Sequence, residues 1–206
     1  MFEFEQLSYE DGERRRRRYE QLTESVRQLI DATIRTAADD ATVATVKAEI
    51  DAVTAKLRHD ECERTVGISV TPDGRTFSWG NVVIGLRNPV APPLVVQHDS
   101  PDRAHLDVHL GAAYEGPPGH LHGGYSALVL DHILGATASR NDPKTVAATG
   151  TITVRYRRPT RLGLLHAEAA IQRTEGRKVY AVGHLADAEG VTVEAEGLFI
   201  VMKPPG

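Results

Sequence analysis

The stretch GPPGHLHGGYSALVLDHILGATA, residues 116–138, joins two unlike halves and decides the fold. Residues 116–124 are mostly glycine, proline and histidine with one large apolar side chain, which is typical of a loop. Residues 125–138 are apolar nearly all round, with one acid, Asp131, in the middle. A helix that is apolar on every side is normally enclosed by the rest of the protein. The stretch therefore predicts a loop followed by one long, mostly enclosed helix.

Strand signals flank this helix on both sides. Before it, residues 94–98 predict a first strand, and apolar residues that alternate from Ala104 to Leu110 predict a second. After it, residues 145–203 predict about four strands in a meander, with Glu-Gly turns at 175–176 and 189–190. The order predicts an α+β fold in which an antiparallel sheet wraps around one long central helix, the hotdog arrangement.

The N-terminal part reads as helix from residue 9 to residue 62, with one glycine and no proline. Residues 37–41 are expected to separate two helices, with Asp40 or Thr42 as the second N-cap. Each helix carries an apolar stripe that needs cover from the rest of the chain or from a partner chain. We expect residues 1–62 to form a helical extension and residues 63–206 the hotdog domain.

The charge of the chain argues against a nucleic-acid partner. Its formal net charge is -4, and the run of five arginines at residues 14–18 is flanked by acids, which indicates a solvated helix start. No apolar run approaches the roughly 20 residues that cross a bilayer, and the acidic N-terminus lacks an export pattern. With a single cysteine, Cys62, these features predict a cytoplasmic protein without a membrane span.

The two glycines before the helix carry a chemical signal. The first amides of a helix have no intrahelical partner, and glycine lets a ligand approach them closely. Gly123 and Gly124 could therefore stabilise an oxyanion that forms on a bound carbonyl group. Asp131 follows about two turns later, and burying its carboxylate costs several kcal/mol unless it is paired. Such a residue is kept for a structural or a chemical reason.

Other interpretations of the same residues stay open. His122 either shapes the turn by a hydrogen bond or contacts the reacting carbonyl, whereas His120 and His132 are expected to be ordinary polar positions. A metal site built from these histidines and Asp131 matches no common zinc spacing. Ser126 lacks the second glycine of a nucleophile elbow.

Three motifs, GPPGHLHGGYSALVLD, TVRYRRP and EGRK, resemble the hotdog-fold acyl-CoA thioesterases of the PaaI type over roughly residues 80–203. The resemblance implies hydrolysis of a thioester to a carboxylic acid and CoA. It also implies that no metal or redox cofactor takes part, and that the chain forms a homodimer or a tetramer.

The resemblance also assigns roles by position. Asp131 is the implied nucleophile or general base, and Gly123, with Gly124 beside it, offers an amide to the thioester carbonyl. Thr149, or else Thr145 or Thr151, is implied to come from the partner subunit and to orient the water or the acid. The implied contacts to CoA are made by four basic residues, namely Arg155, Arg157, Arg177 and Lys178.

Two competing functions use the same pocket. A hotdog enoyl-CoA hydratase or dehydratase pairs an acid with a histidine at the helix start, as His122 and Asp131 would. A non-catalytic acyl-CoA binding protein is the other alternative. The acyl chain is expected to run past Tyr125, Val129 and Ile133, but the sequence does not fix its length.

Overall fold

The structure is a computed structural model that describes residues 4–62, 67–92, 94–140, 142 and 145–202. Its helices are α1 (Tyr9–Arg35), α2 (Asp40–Arg58) and α3 (Gly123–Ala138), with a short 3-10 turn at Ala112–Tyr114. A small sheet contains β1 (Phe4–Gln6), β2 (Ile68–Val70) and β3 (Thr76–Ser78). A large sheet contains β4 (Gln97–Ser100), β5 (Arg103–Leu110), β6 (Ala147–Tyr156), β7 (Gly163–Glu175), β8 (Lys178–Asp187) and β9 (Gly190–Val201).

The large sheet is antiparallel and wraps around α3. Its strands lie in the order β4-β5-β7-β8-β9-β6, and α3 contacts β5, β6, β7, β8 and β9. The helix contributes five fully enclosed apolar side chains to the core, namely Val129, Leu130, Ile133, Leu134 and Ala138. This arrangement confirms the predicted α+β hotdog fold.

Two details of the predicted sheet were wrong. The first strand begins at Gln97 rather than Leu94, although Leu94 and Val96 still pack on the core. The proline-rich stretch before it offers few amide donors for a ladder. The four later strands do not form a simple meander, because β6 lies at the sheet edge beside β9 and not next to β7.

The connection from β6 to β7 crosses the glycine loop and fastens it. The Leu121 N–H donates to the Thr160 carbonyl at 2.9 Å, and the Leu162 N–H donates to the Gly119 carbonyl at 3.1 Å. The long link that places β6 at the edge therefore also holds the loop before α3.

A β-bulge at Gly150 sets which way the side chains of β6 point. Thr149 pairs with Phe199 and Thr151 pairs with Leu198, so Gly150 is the extra residue. Side chains alternate along a strand, and one inserted residue shifts that alternation. Thr149 before the bulge and Tyr156 after it therefore both face α3. A Cβ at Gly150 would lie 3.2 Å from the Leu198 carbonyl oxygen, which favours glycine there.

The N-terminal part contains the two predicted helices, but their caps differ from the prediction. Asp39, rather than Asp40 or Thr42, caps α2 by accepting the Thr42 N–H at 2.8 Å. The sequence also gave no sign of the small sheet, in which β1 pairs with β2.

Helix α1 is attached to the body of the molecule. The Thr23 hydroxyl donates to the Leu86 carbonyl at 3.0 Å, and Gly12 packs so closely on Phe77 that a Cβ would overlap the ring. Residues 63–66, next to the predicted boundary, lie outside the described residues. The division into an extension and a hotdog domain stays a prediction.

Part of the arginine run is neutralised by neighbouring acids. Arg14 pairs with Asp11, and Arg15 and Arg16 pair with Glu5 at 2.6 Å and Glu13 at 2.9 Å. Within the described part of the chain, no helix has the length and apolar character needed to span a membrane.

Candidate functional site

His122 is the N-cap of α3 and shapes the turn before it. Its backbone is extended (φ -64, ψ 131), and its Nδ1 accepts the Gly124 N–H at 3.0 Å. Because Nδ1 is the acceptor, a neutral His122 ring carries its proton on Nε2. The exposed Nε2–H therefore points to a donor role at this position, not to a base.

A tyrosine clamps the next peptide from the other side. The Tyr156 hydroxyl donates to the Gly123 carbonyl at 2.8 Å. The peptide that joins Gly123 and Gly124 is thus held at its C=O by Tyr156 and at its N–H by His122. Among the described residues, the Gly123 N–H has no acceptor. Gly123, not Gly124, presents the free amide of the turn.

Sequence reasoning did not assign a role to Tyr156. Tyr156 begins the Tyr-x-Arg-Pro pattern, residues 156–159, within the motif TVRYRRP, so the motif itself was the available signal. The ring also explains the glycine, because a Cβ at Gly123 would lie 3.3 Å from the nearest ring atom.

Asp131 lies on the accessible side of α3 and has one hydrogen-bond partner among the described residues. The Thr149 hydroxyl donates to Asp131 Oδ1 at 2.8 Å. Asp131 is half-buried rather than enclosed. The contact is made within one chain, so Thr149 and Asp131 of the same copy form a pair. The expected contribution of Thr149 across a subunit interface stays a prediction. The bulge at Gly150 accounts for the contact, because it turns Thr149 towards α3 of its own chain.

The two alternative threonines do not reach the acid. The Thr145 hydroxyl donates to Asp142 at 2.6 Å, and Thr151 follows the bulge, on the face of β6 that points away from α3.

The distance along α3 separates Asp131 from the glycine turn of the same chain. Gly124, Leu128, Asp131 and Gly135 form a stripe along the helix that remains at least partly exposed. Eight residues separate Gly123 from Asp131, which is about 12 Å along the axis at the usual rise per residue. A carbonyl group bound to the Gly123 N–H therefore lies beyond the reach of Asp131 in the same chain.

The other polar residues near α3 fit structural roles. Burial lowers the pKa of His132, and Asp131 beside it opposes that shift more weakly. His120 Nδ1 lies 2.9 Å from the Pro118 carbonyl oxygen. Ser126 is buried. In the ranges that the structure describes, no group of three or more His, Cys, Asp or Glu residues is placed to hold a metal ion.

The residues expected along an acyl tunnel differ in access. Val129 and Ile133 are fully buried in the core of the single chain. Tyr125 is half-buried and meets Tyr114 edge to face at 4.8 Å between ring centres.

Arg155 in β6 and Arg157 directly after it already have acidic partners. Arg157 pairs with Glu194 at 2.6 Å, and Arg155 pairs with Glu196 at 3.4 Å, both across to β9. The hydrogen bond from Arg157 lowers the pKa of Glu194. Arg155 lines a groove of about 450 Å³ on the outer face of the sheet. Four acids line this groove, namely Asp99, Glu168, Glu194 and Glu196, against two arginines, Arg103 and Arg155. This face is a poor match for phosphate groups.

Arg177 and Lys178 differ from Arg155 and Arg157 in this respect. They lie at the β7–β8 turn and are exposed, and neither makes an ion pair with any residue the structure describes. Lys178 pairs with Ile200, which in turn pairs with Ala148, the residue next to Thr149. The free cations are therefore at the same end of the sheet as Thr149.

The arginine of the Tyr-x-Arg-Pro motif is structural. Arg158 makes two hydrogen bonds to Asp187, at 2.9 Å and 2.5 Å, and a third to the Gly190 carbonyl. The Asp187 side chain is only 4% exposed, and these hydrogen bonds hold its pKa well below the usual range. The pair fixes the chain directly after Tyr156.

Comparisons with known proteins agree with this architecture. The family model described as thioesterase superfamily matches residues 118–194. The acyl-coenzyme A thioesterase THEM4 of Xenopus laevis is 34% identical over 97 residues, which is 46% of this chain and 43% of THEM4. The match thus spans less than half the length of that relative.

Solved structures extend the similarity to most of the chain. A thioesterase from Haemophilus influenzae has a TM-score of 0.50 at 17% identity over 54% of this chain and 80% of its own, which shows the fold alone. The thioesterase superfamily protein RHA08564 is 32% identical, with a TM-score of 0.76, over 88% of this chain and 94% of its own. This identity over nearly the whole of RHA08564 shows that the chain belongs to the thioesterase superfamily.

Proposed function

We propose that the protein is an acyl-CoA thioesterase that hydrolyses a thioester to a carboxylic acid and free CoA. The hydrogen bond between Thr149 and Asp131, on an accessible stripe of α3, carries this proposal. Membership of the thioesterase superfamily and the acyl-CoA thioesterase activity named for THEM4 support it.

The active site is shared between two copies of the chain. The separation of about 12 Å between Gly123 and Asp131 within one α3 prevents both from acting on the same carbonyl. Two α3 helices that face each other across a two-fold axis would place Gly123 of one copy beside Asp131 of the other. The long edge strand β6 is largely exposed and offers unpaired backbone groups for such a homodimer.

The reaction begins when the thioester carbonyl oxygen accepts the Gly123 N–H. Asp131 of the other copy then takes a proton from a water molecule, whose oxygen attacks the carbonyl carbon. Negative charge forms on the carbonyl oxygen, and the Gly123 amide stabilises it. The carbon–sulfur bond breaks, and the CoA thiolate leaves with that proton as the thiol. In the alternative route Asp131 attacks directly, and water then hydrolyses the mixed anhydride.

Three neighbours position the reacting groups. The Thr149 hydroxyl donates to Asp131 Oδ1 and leaves Oδ2 for the water or the carbonyl carbon. His122 and Tyr156 fix the peptide after Gly123, so that the free N–H keeps one direction. Because His122 Nδ1 already accepts a hydrogen bond, the ring suits donation from Nε2 better than the base role that a hydratase requires.

Among the candidate CoA contacts, Arg177 and Lys178 suit the phosphates best. Both are exposed and have no ionic partner in the described ranges, whereas Arg155 and Arg157 must first release Glu196 and Glu194. Arginine binds phosphate oxygens with a planar pair of donors. A cytoplasmic location stays a prediction.

The proposal is tested with the purified chain and a series of short, long and aromatic acyl-CoAs, with release of free thiol as the signal. We expect Asp131→Asn to fold normally and to lose at least about 100-fold in kcat, the scale of a removed acid–base group. His132→Gln, at the adjacent position, is the matched control and should keep activity. Wild-type turnover by Asp131→Asn would contradict the role of Asp131. Tight binding of acyl-CoA without thiol release from any substrate would favour the non-catalytic binding protein.

A further inference from the structure

Helix α2 has apolar side chains on its surface that the described part of its own chain does not cover. No described residue of α2 is buried, and its apolar residues Val43, Val46, Val53 and Leu57 are 40–53% exposed. In the described ranges, the hydrogen bonds and ion pairs of α2 stay within the helix and its N-cap. An isolated helix of this length is only marginally stable in water. Another surface must therefore cover the apolar side chains of α2.

The spacing of the apolar residues in α2 indicates what kind of surface covers them. Val43, Val46, Ile50, Val53 and Leu57 recur at intervals of three and four residues, which is the a/d pattern of a coiled coil. The rest of α2 carries three acids and three basic residues, namely Asp40, Glu49, Asp51, Lys47, Lys56 and Arg58. A helix that binds a membrane surface is usually rich in Lys and Arg on its polar side. The balanced charge instead favours a protein helix of the same pattern.

We propose that the stripe, defined as Val43, Val46, Ile50, Val53 and Leu57, packs antiparallel on the stripe of a second copy of this chain. In an antiparallel pair each a position meets a d position of the partner. Here Val43, Ile50 and Leu57 are a positions, and Val46 and Val53 are d positions. When Ile50 lies opposite Val53 of the second copy, Val46 lies opposite Leu57 of that copy. The two-fold symmetry of the pair makes each of these two layers occur twice. The four central layers are then all apolar.

The flanking charges select this direction. In the antiparallel register, Glu49 and Lys56 both occupy g positions and lie opposite each other, twice in the symmetric pair. In a parallel pair, Glu49 would instead face Thr54, and no pair of opposite charges would form within the helix. In the antiparallel pair the acidic first turn at Asp40 also lies near the basic last turn of the partner helix, at Arg58, so these opposite charges attract each other.

Cross-linking between single cysteines tests the pairing in the full-length protein, with Cys62→Ser as background because that thiol is exposed. Val46→Cys and Leu57→Cys chains are prepared separately, mixed, allowed to exchange subunits and treated with a short bismaleimide. We expect a cross-linked dimer in the mixture and little in either protein alone, since residue 46 lies eleven residues, about 16 Å, from its own copy in this register.

A matched control uses two positions that also lie at the same height in the antiparallel pair, but on the side of α2 away from the stripe. Ala48→Cys and Ala55→Cys chains are mixed in the same way, and we expect no cross-link, since both residues face away from the stripe. Strong cross-linking of Val46→Cys alone would indicate a parallel pair and overturn the proposal. Absence of a cross-link in the Val46 and Leu57 mixture would overturn self-pairing altogether. Neither result depends on thioesterase activity.

Discussion

Replacing Gly123 by proline removes the proposed oxyanion donor with little other change. Proline has no N–H, and among the described residues the Gly123 N–H has no acceptor to lose. Gly123 is the first residue of α3, the position where helices tolerate proline best. His122 before it already has the extended backbone that a residue preceding proline prefers, with ψ 131. We therefore expect a normally folded protein.

The cost falls on catalysis alone. Loss of one oxyanion-hole donor typically lowers kcat by about 10²–10³, or about 2.7–4 kcal/mol of transition-state stabilisation. The peptide after Gly123 is held at both ends and cannot turn its N–H inward as a replacement. Thiol release under saturating acyl-CoA measures kcat, and thermal unfolding measures the fold. The melting temperature should stay within a few degrees of wild type.

Gly123→Ala is the matched control. It keeps the N–H and adds only a Cβ, which would lie 3.3 Å from the Tyr156 ring and requires a small shift. We expect it to retain most of its activity. Equal losses in the alanine and proline variants would mean that crowding, not the amide, causes the defect. Wild-type kcat in the proline variant would refute the oxyanion role outright.

The remaining predictions concern three other side chains. Tyr156→Phe removes the hydroxyl that holds the Gly123 carbonyl but keeps the ring, so kcat should fall about 2- to 13-fold, the worth of one hydrogen bond of 0.5–1.5 kcal/mol, with KM unchanged; a changed KM at full kcat would contradict a positioning role. Arg177→Ala should raise KM for acyl-CoA about tenfold or more without lowering kcat, and should leave hydrolysis of an acyl-N-acetylcysteamine unchanged; equal losses on both substrates would show a structural role. Hydrogen bonding to Asp107 raises the pKa of His166, so the protonated pair stabilises the fold below pH about 6.5 and this stabilisation is lost as pH rises through the raised pKa. Between pH 6 and 8 the melting temperature of wild type should therefore fall relative to that of His166→Gln. Melting temperatures of the two proteins that stay parallel with pH would contradict this.

Local patterns predicted the central features of the fold. The apolar run of residues 125–138 gave the enclosed helix, and period-two alternation gave β5, because both signals lie within a few residues of sequence. The glycine pair and Asp131 stood out for the same reason. The small sheet was missed because each of its strands has only three residues, which is too short for a periodic signal.

The features that sequence could not predict depend on contacts far apart in the chain. The hydrogen bond from the Tyr156 hydroxyl to the Gly123 carbonyl joins residues 33 positions apart. The contact of Thr149 with Asp131 of its own chain could not be predicted either, because motif spacing does not reveal the bulge at Gly150 that turns this side chain towards α3. Likewise, β6 took the sheet edge through non-local pairing with β9, which no adjacent turn could indicate.

The most direct test of the shared active site is complementation between two inactive chains. Asp131→Asn and Gly123→Pro chains with different affinity tags are co-expressed, and the mixed dimer is isolated through both tags. The mixed dimer then contains one site with an intact Gly123 from one copy and an intact Asp131 from the other. We predict about half of the wild-type kcat per dimer, since one of its two symmetry-related sites is complete. A mixed dimer as inactive as its two parents would contradict the account, because it would place both residues in the same chain's site.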